Sequence, residues 1–332
     1  MHMKQMVLSA AAGLFLLAAP FAAAAEEVTL RAVTFTPANV VYAQHFKEFA
    51  DRVNARGKGI VQINIVGGPE TIPMPRMGEA QKNGIADIFS LTPGLYLDLI
   101  PEGEAFAGSN KTPMENRASG ALDTINEIFH EKANAHVLAH LDGGAGFHVF
   151  MTREPTLDSE GNLDLTGYRI RSAPLYRAFL EKLGATIVVQ PAGEIYTSLE
   201  RGVVDGNGYT VVGVRDFGWD KFLKYQINPG FFQTDVLVSL NYDSWKNLSQ
   251  EARDLLNEVG QEYERESYDI IQAETKAEQQ ALIDGGMQVV ELEGAARAAY
   301  LETAFGATWA RLKERDPTHY DALRAAFFDE TK

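Results

Sequence analysis

Residues 165–208 read LTGYRIRSAPLYRAFLEKLGATIVVQPAGEIYTSLERGVVDGNG. Thr166-Gly167 is a turn, and residues 168–172 have the composition of a short strand. Pro174 opens a helix on which Leu175, Ala178, Phe179 and Leu183 fall at helical spacing. Gly184 stops that helix, and the β-branched run 186–190 predicts a second strand. Residues 193–201 predict another helix, with Ile195 and Leu199 four apart, before Val203-Val204-Asp205-Gly206 returns the chain to the sheet. A strand–helix–strand–helix unit builds a parallel sheet with a crevice at its strand ends. Arg171 falls at the end of the first strand, where that crevice lies.

On the amino-terminal side the same alternation repeats. Residues 28–35 and 60–66 predict strands around a helix carrying Tyr42, Phe46, Phe49 and Val53, and residues 74–82 and 85–90 predict a helix and a third strand. A loop-rich stretch (91–111) leads to a helix over 113–135, then strands at 137–141 and 147–152. On the carboxyl side the pattern predicts a helix over 210–222 and strands near 225–227 and 236–241. Ser249 caps a long helix running to about 283, with Glu251 in its first turn. A strand at 287–292 and helices over 295–313 and 319–328 close the chain.

The first 25 residues combine Lys4, an apolar run and an Ala-rich end before Glu26-Glu27, which reads as a cleaved secretory signal. The sequence has no cysteine, which excludes disulfides and an anchor on an N-terminal lipidated cysteine. A formal net charge of −15 argues against nucleic acid and anionic lipid as partners. The remaining chain exceeds the usual size of one core, so two lobes are expected. The strand order divides them as residues 26–148, completed by about 236–290, and residues 149–235, completed by about 291–332.

The stretch around Arg171 resembles the solute-receptor subunit of tripartite ATP-independent periplasmic (TRAP) transporters. The resemblance lies in Arg169-Ile170-Arg171, Leu183-Gly184-Ala185, Pro191 with Glu194, Tyr196 and Leu199, and Gly202 to Gly206, in order and at the family's spacing. It implies a two-lobe periplasmic-binding-protein fold (α/β, type II-like), each lobe a mixed, mostly parallel sheet flanked by helices. Hinge strands and a long bracing helix would join the lobes. It also implies a small organic acid as ligand, membrane permease subunits as partners, a periplasmic location and no chemistry on the ligand.

Arg171 matches the family's carboxylate-binding arginine. A guanidinium offers a planar fork that fits a carboxylate and stays charged when buried. Asn207 and Tyr209 follow Asp205-Gly206, where the family contacts solute, and Tyr209 is equally readable as a core aromatic. Phe147 stands near the point where several relatives carry a second arginine, and with Phe231, Phe232 and Tyr209 it suits an apolar pocket. Glu194 is an acid at a helix start; with Asp235 it is the pair of oxygen donors to examine for a bridging cation. Phe35, Asn39, Glu70, Thr71 and Thr92 lie at strand ends of the first lobe and are expected to face the solute.

Other chemistries lack their residues. His136 and His140 are four apart but have no third ligand at matching spacing, and no Gly-x-Ser-x-Gly elbow or phosphate-binding loop occurs. No catalytic residue, metal or cofactor is therefore expected. A receptor for an ATP-driven importer shares the architecture and remains the alternative, with a secreted hydrolase as the rival from another class.

Overall fold

The computed structural model describes residues 27–331, so the expected signal segment lies outside the described residues. The chain runs β1 (Val28–Thr34), α1 (Val41–Arg56), β2 (Val61–Gly67), α2 (Met77–Lys82), β3 (Ile88–Leu91), α3 (Glu104–Ala107), α4 (Pro113–Ala118), α5 (Ala121–Ala133) and β4 (Ala135–Leu141). It crosses to β5 (Phe147–Met151), a small hairpin of β6 (Thr156–Leu157) and β7 (Leu163–Asp164), then β8 (Arg169–Ser172), α6 (Arg177–Lys182), β9 (Thr186–Val189), α7 (Ile195–Glu200), β10 (Gly206–Thr210) and β11 (Tyr225–Phe231). It returns through β12 (Val236–Asn241), α8 (Tyr242–Asn247) and α9 (Gln250–Asp284), and ends with β13 (Gln288–Glu291), α10 (Gly294–Arg315) and α11 (Pro317–Phe327).

Two mixed sheets result, ordered β2-β1-β3-β12-β4 and β13-β11-β5-β10-β8-β9. In the first sheet β12 runs antiparallel to both neighbours. In the second, β5 is antiparallel to β10 and β11, while β8, β9 and β10 are parallel. This is the α/β two-lobe arrangement expected from the sequence. Each sheet packs between two apolar clusters, so its central strands are buried on both faces.

The crossings 142–146 and 232–235 lie side by side: the Thr234 amide donates to Ala145 O at 2.9 Å, and the Thr234 hydroxyl donates to Asp142 O. The long helix α9 is capped by Ser249 Oγ accepting from the Ala252 amide at 3.1 Å. At 35 residues it spans about 50 Å. Its first half packs Leu256, Val259 and Tyr263 on the first lobe, and Leu282 reaches a core of the second.

Four expectations need correction. Residues 211–222 form turns with one short 3₁₀ stretch at Trp219–Lys221 rather than the α-helix expected over 210–222, because Gly213 and Gly218 adopt φ of 96° and 70° and fold the segment back on itself. Phe217 and Trp219 then stack at 4.6 Å. The helix over 113–135 is two helices, broken where Gly120 takes φ 76°. β13 pairs with β11 in the second sheet, so the stretch to residue 290 does not complete the first lobe alone. Conversely, α11 packs Leu323 and Phe327 against Phe106 and Phe129 of the first lobe, so residues 291–332 do not belong wholly to the second.

Candidate functional site

Between the lobes lies a cavity of about 300 Å³, near the lower end of the roughly 300–1,000 Å³ typical of ligand sites. Its wall comes from both lobes and from the 232–235 crossing. Phe35, Tyr42, Met74 and Leu95 face it from one side, and Phe147, Leu175, Tyr209 and Phe217 from the other. The polar groups on this apolar wall are few: Arg171, Asp235 and the threonines at 36, 92, 210 and 234, with the phenols of Tyr42, Tyr176 and Tyr209.

Arg171 is 4 % exposed. Its Nε and Nη2 both donate to Gln190 O, at 2.9 and 2.7 Å. Nη1 donates to the Tyr176 hydroxyl at 2.8 Å, and that hydroxyl donates to Gly208 O at 2.6 Å. One edge of the guanidinium is thus saturated by a carbonyl, and the ring of Tyr176 fixes its rotation. Among the described residues Arg171 takes part in no ion pair; its hydrogen bonds go to neutral oxygens. A buried cation without a protein counter-charge is costly, and here it sits on the wall of a cavity.

The local sequence explains the placement. Arg169, two residues earlier, shares the face of β8 by strand alternation but lies at its exposed start, where Asp205 accepts from the Arg169 amide and from its Nε. The Asp205-Gly206 motif is thereby structural: it ties β8 to β10, and a side chain at 206 would sit 2.2 Å from Phe150 O. Gly208 has a related role, since a Cβ there would come within 2.7 Å of the Tyr176 ring. Gly208→Ala should therefore push Tyr176 off Arg171, lowering stability by about 1–3 kcal/mol and weakening ligand roughly tenfold. Calorimetry alongside a thermal melt checks this; unchanged affinity would show that Tyr176 does not orient the guanidinium.

Asp235 is 2 % exposed, and its Oδ2 accepts from the Gly94 amide at 2.9 Å. Burial pushes its carboxyl above the ordinary range, while bonds from Thr92 and Gly94 pull the other way. Burial likewise raises the Tyr209 phenol, against the pull of Arg171, so it stays protonated as a donor. Tyr42 Oη and Thr210 Oγ1 meet at 2.7 Å across the lobes; the threonine's proton goes to Val212 O, so the tyrosine donates.

Of the residues expected at the site, the structure brings Arg171, Tyr209, Phe147, Phe35, Thr92 and Asp235 onto the cavity wall. It does not bring the other seven. Asn207 is fully buried opposite Arg171 in the sheet register, one pleat deeper than Tyr209, and neither of its amide atoms has a hydrogen-bond partner among the described residues. Phe231 and Phe232 pack behind the wall on Phe179. Glu194 and Asn39 are exposed. Glu70 turns back to accept from the Gly68 amide at 2.6 Å, and Thr71 is exposed beside it. With Glu194 outside the wall, the two acids considered for a bridging cation do not converge. Sequence reasoning passed over Tyr42, Tyr176 and Phe217. The first two were legible as buried phenols needing partners.

This arrangement, two lobes closing a small apolar cavity around a buried guanidinium, defines a solute receptor. The sequence profile of the family described as bacterial extracellular solute-binding protein, family 7 (DctP) matches residues 32–315, and the chain belongs to that family. It is 24 % identical over 250 residues to a solute-binding protein of Roseobacter denitrificans, covering 73 % of this chain and 71 % of that one. It is also 24 % identical to the ectoine-binding periplasmic protein TeaA of Halomonas elongata, covering 66 % of this chain and 64 % of that one. Among solved structures it is similar to DctP6 of Bordetella pertussis, a receptor binding pyroglutamic acid, with TM-score 0.78 and 15 % identity, covering 90 % of this chain and 99 % of that one. A Bordetella bronchiseptica TRAP solute-binding protein with calcium and picolinate gives TM-score 0.77 at 21 % identity, covering 91 % of each chain. These relatives are transport proteins, not enzymes. No helix among the described residues is long and apolar enough to cross a membrane.

Proposed function

We propose that this chain is the periplasmic receptor of a TRAP transporter, taking a compact monocarboxylate whose body is apolar. The observation that carries this is Arg171: a buried guanidinium, free of ion pairs among the described residues, on an otherwise apolar cavity wall. The ligand's carboxylate supplies the missing counter-charge, and the aromatic walls cover its body. Groups from the first lobe then add contacts available only when the lobes are closed, so ligand shifts the population toward the closed form. That form is the one handed to the membrane permease. The family match supports this over a receptor for an ATP-driven importer.

The test is a thermal-shift screen of small organic acids, each beside its neutral carboxamide. A ligand that binds only the folded state raises the melting temperature by mass action. The acids should shift it and the carboxamides should not, with every binder recovered unchanged after incubation. Equal shifts from acid and amide would remove the carboxylate reading, and turnover would replace the receptor with an enzyme.

A further inference from the structure

The cavity wall carries two ionisable side chains of opposite type, Arg171 and Asp235, and they do not bond to each other. Arg171 spends its hydrogen bonds on Gln190 O, Tyr176 and Gly208 O rather than on Asp235. Asp235, on the crossing beside the hinge residue Thr234, is held by the Gly94 amide and pairs with no cation among the described residues. A carboxyl group placed in an apolar wall is unfavourable unless something there hydrogen-bonds to it. Gly94 brings that contact from the first lobe, and the same glycine abuts Leu175 of the second, so Asp235 sits where the lobes meet over the cavity.

We propose that the ligand is dipolar, offering its carboxylate to Arg171 and a hydrogen-bond-donating nitrogen, ammonium or amide-type, to Asp235. A ligand N–H donating to Asp235 would join the Gly94 amide and Thr92 in favouring the ionised carboxylate against the upward push of burial. In that form it accepts only, so it selects for donors and against ring oxygens or methylenes at the same position. Nitrogen is favoured over hydroxyl because a cationic or polarised N–H partner also compensates the charge. Tyr42, Phe147, Tyr209 and Phe217 line the same cavity, and an aromatic face attracts a body bearing partial positive charge. Asp235 is then the residue that sets specificity within the monocarboxylates, while Arg171 sets the class. This rests on the carboxylate reading above.

The experiment uses matched ring acids: five- and six-membered rings with N–H beside the carboxylate-bearing carbon, and counterparts with oxygen or methylene in its place. Each is titrated by calorimetry into the purified protein, into Asp235→Asn and into Arg171→Ala. The expected result is that N–H acids bind roughly tenfold or more tightly than their counterparts. In Asp235→Asn that ratio collapses toward one. If the wild-type protein binds both members of each pair equally, or prefers those without N–H, the inference is overturned. The carboxylate reading would still stand as long as Arg171→Ala abolishes all binding. Binding that survives Arg171→Ala overturns both. The wild-type ratio alone decides the inference if Asp235→Asn folds poorly.

Discussion

Replacing Arg171 with alanine should abolish ligand binding while leaving the ligand-free protein as stable as before, or slightly more so. The two halves come from the same geometry. Gln190 O, Tyr176 and Gly208 O engage four of the five N–H donors. A carboxylate therefore takes the remaining Nη2 N–H and can add a second bond only by displacing a protein oxygen such as Gly208 O. One to two charge-assisted bonds of about 1.5–3 kcal/mol each put the loss on the order of 10- to 10⁴-fold. In the ligand-free protein the arginine is buried at 4 % exposure and bonded to neutral oxygens only. Removing a buried charge that has no counter-ion relieves a desolvation cost, which offsets the hydrogen bonds lost by Gln190 O. Tyr176 keeps its bond to Gly208 O in either case. Arg171→Lys should fall between, since it retains the charge without the planar fork. The measurement is a pair of melts, with and without ligand. The ligand-induced shift should vanish in Arg171→Ala with the unliganded midpoint within a few degrees of wild type. A variant that melts far lower without ligand would mean the guanidinium is a structural strut, and unchanged affinity would refute its role in binding.

The parts legible beforehand share a cause. Strand and helix periodicities, proline starts and glycine stops are local, and they placed β8, α6, β9, α7 and α9 within a few residues. Arg171 was legible because a strand's end fixes where its side chain goes. Asn39, Glu70 and Thr71 were inferred from loop position alone, and a loop's side chains answer to local hydrogen bonds: Glu70 is satisfied by its own turn. Asn207 shares a face with Tyr209, but distance along the strand decides which of them meets the cavity. The segment 210–222 has helical apolar spacing, yet Gly213 and Gly218 sit in left-handed conformations that the spacing does not encode. The C-terminal division failed because α10 passes from one lobe's core to the other, a packing fact with no signature in the pattern.

That passage of α10 also carries the second large effect. Arg311 Nε binds Glu104 Oε1 at 2.7 Å, while Nη1 and Nη2 donate to Pro174 O at 2.8 Å and Leu175 O at 2.6 Å. One guanidinium thus joins α3 to the turn that follows β8 and leads into Tyr176. Glu104 is fully buried, and burial pushes its carboxyl up to about 7 despite the pull of Arg311. Arg311→Ala leaves that carboxyl without its partner and frees two carbonyls, so it should cost about 3–5 kcal/mol of stability at alkaline pH. The sign with pH follows from the raised value. The folded protein holds the Glu104 proton more tightly than the unfolded chain, whose value is near 4.5. Stability from this group is therefore greatest at low pH and is lost as pH rises from about 4.5 through 7. Without Arg311 the carboxyl moves higher still, so the difference between variant and wild type should be widest near pH 8 and shrink toward pH 5. Adding Glu104→Gln to Arg311→Ala should recover part of the loss at pH 8. Urea unfolding of the three proteins across that range checks it. A loss under 1 kcal/mol, or one equal at both ends of the range, would mean that Glu104 is not held as a buried charge by Arg311.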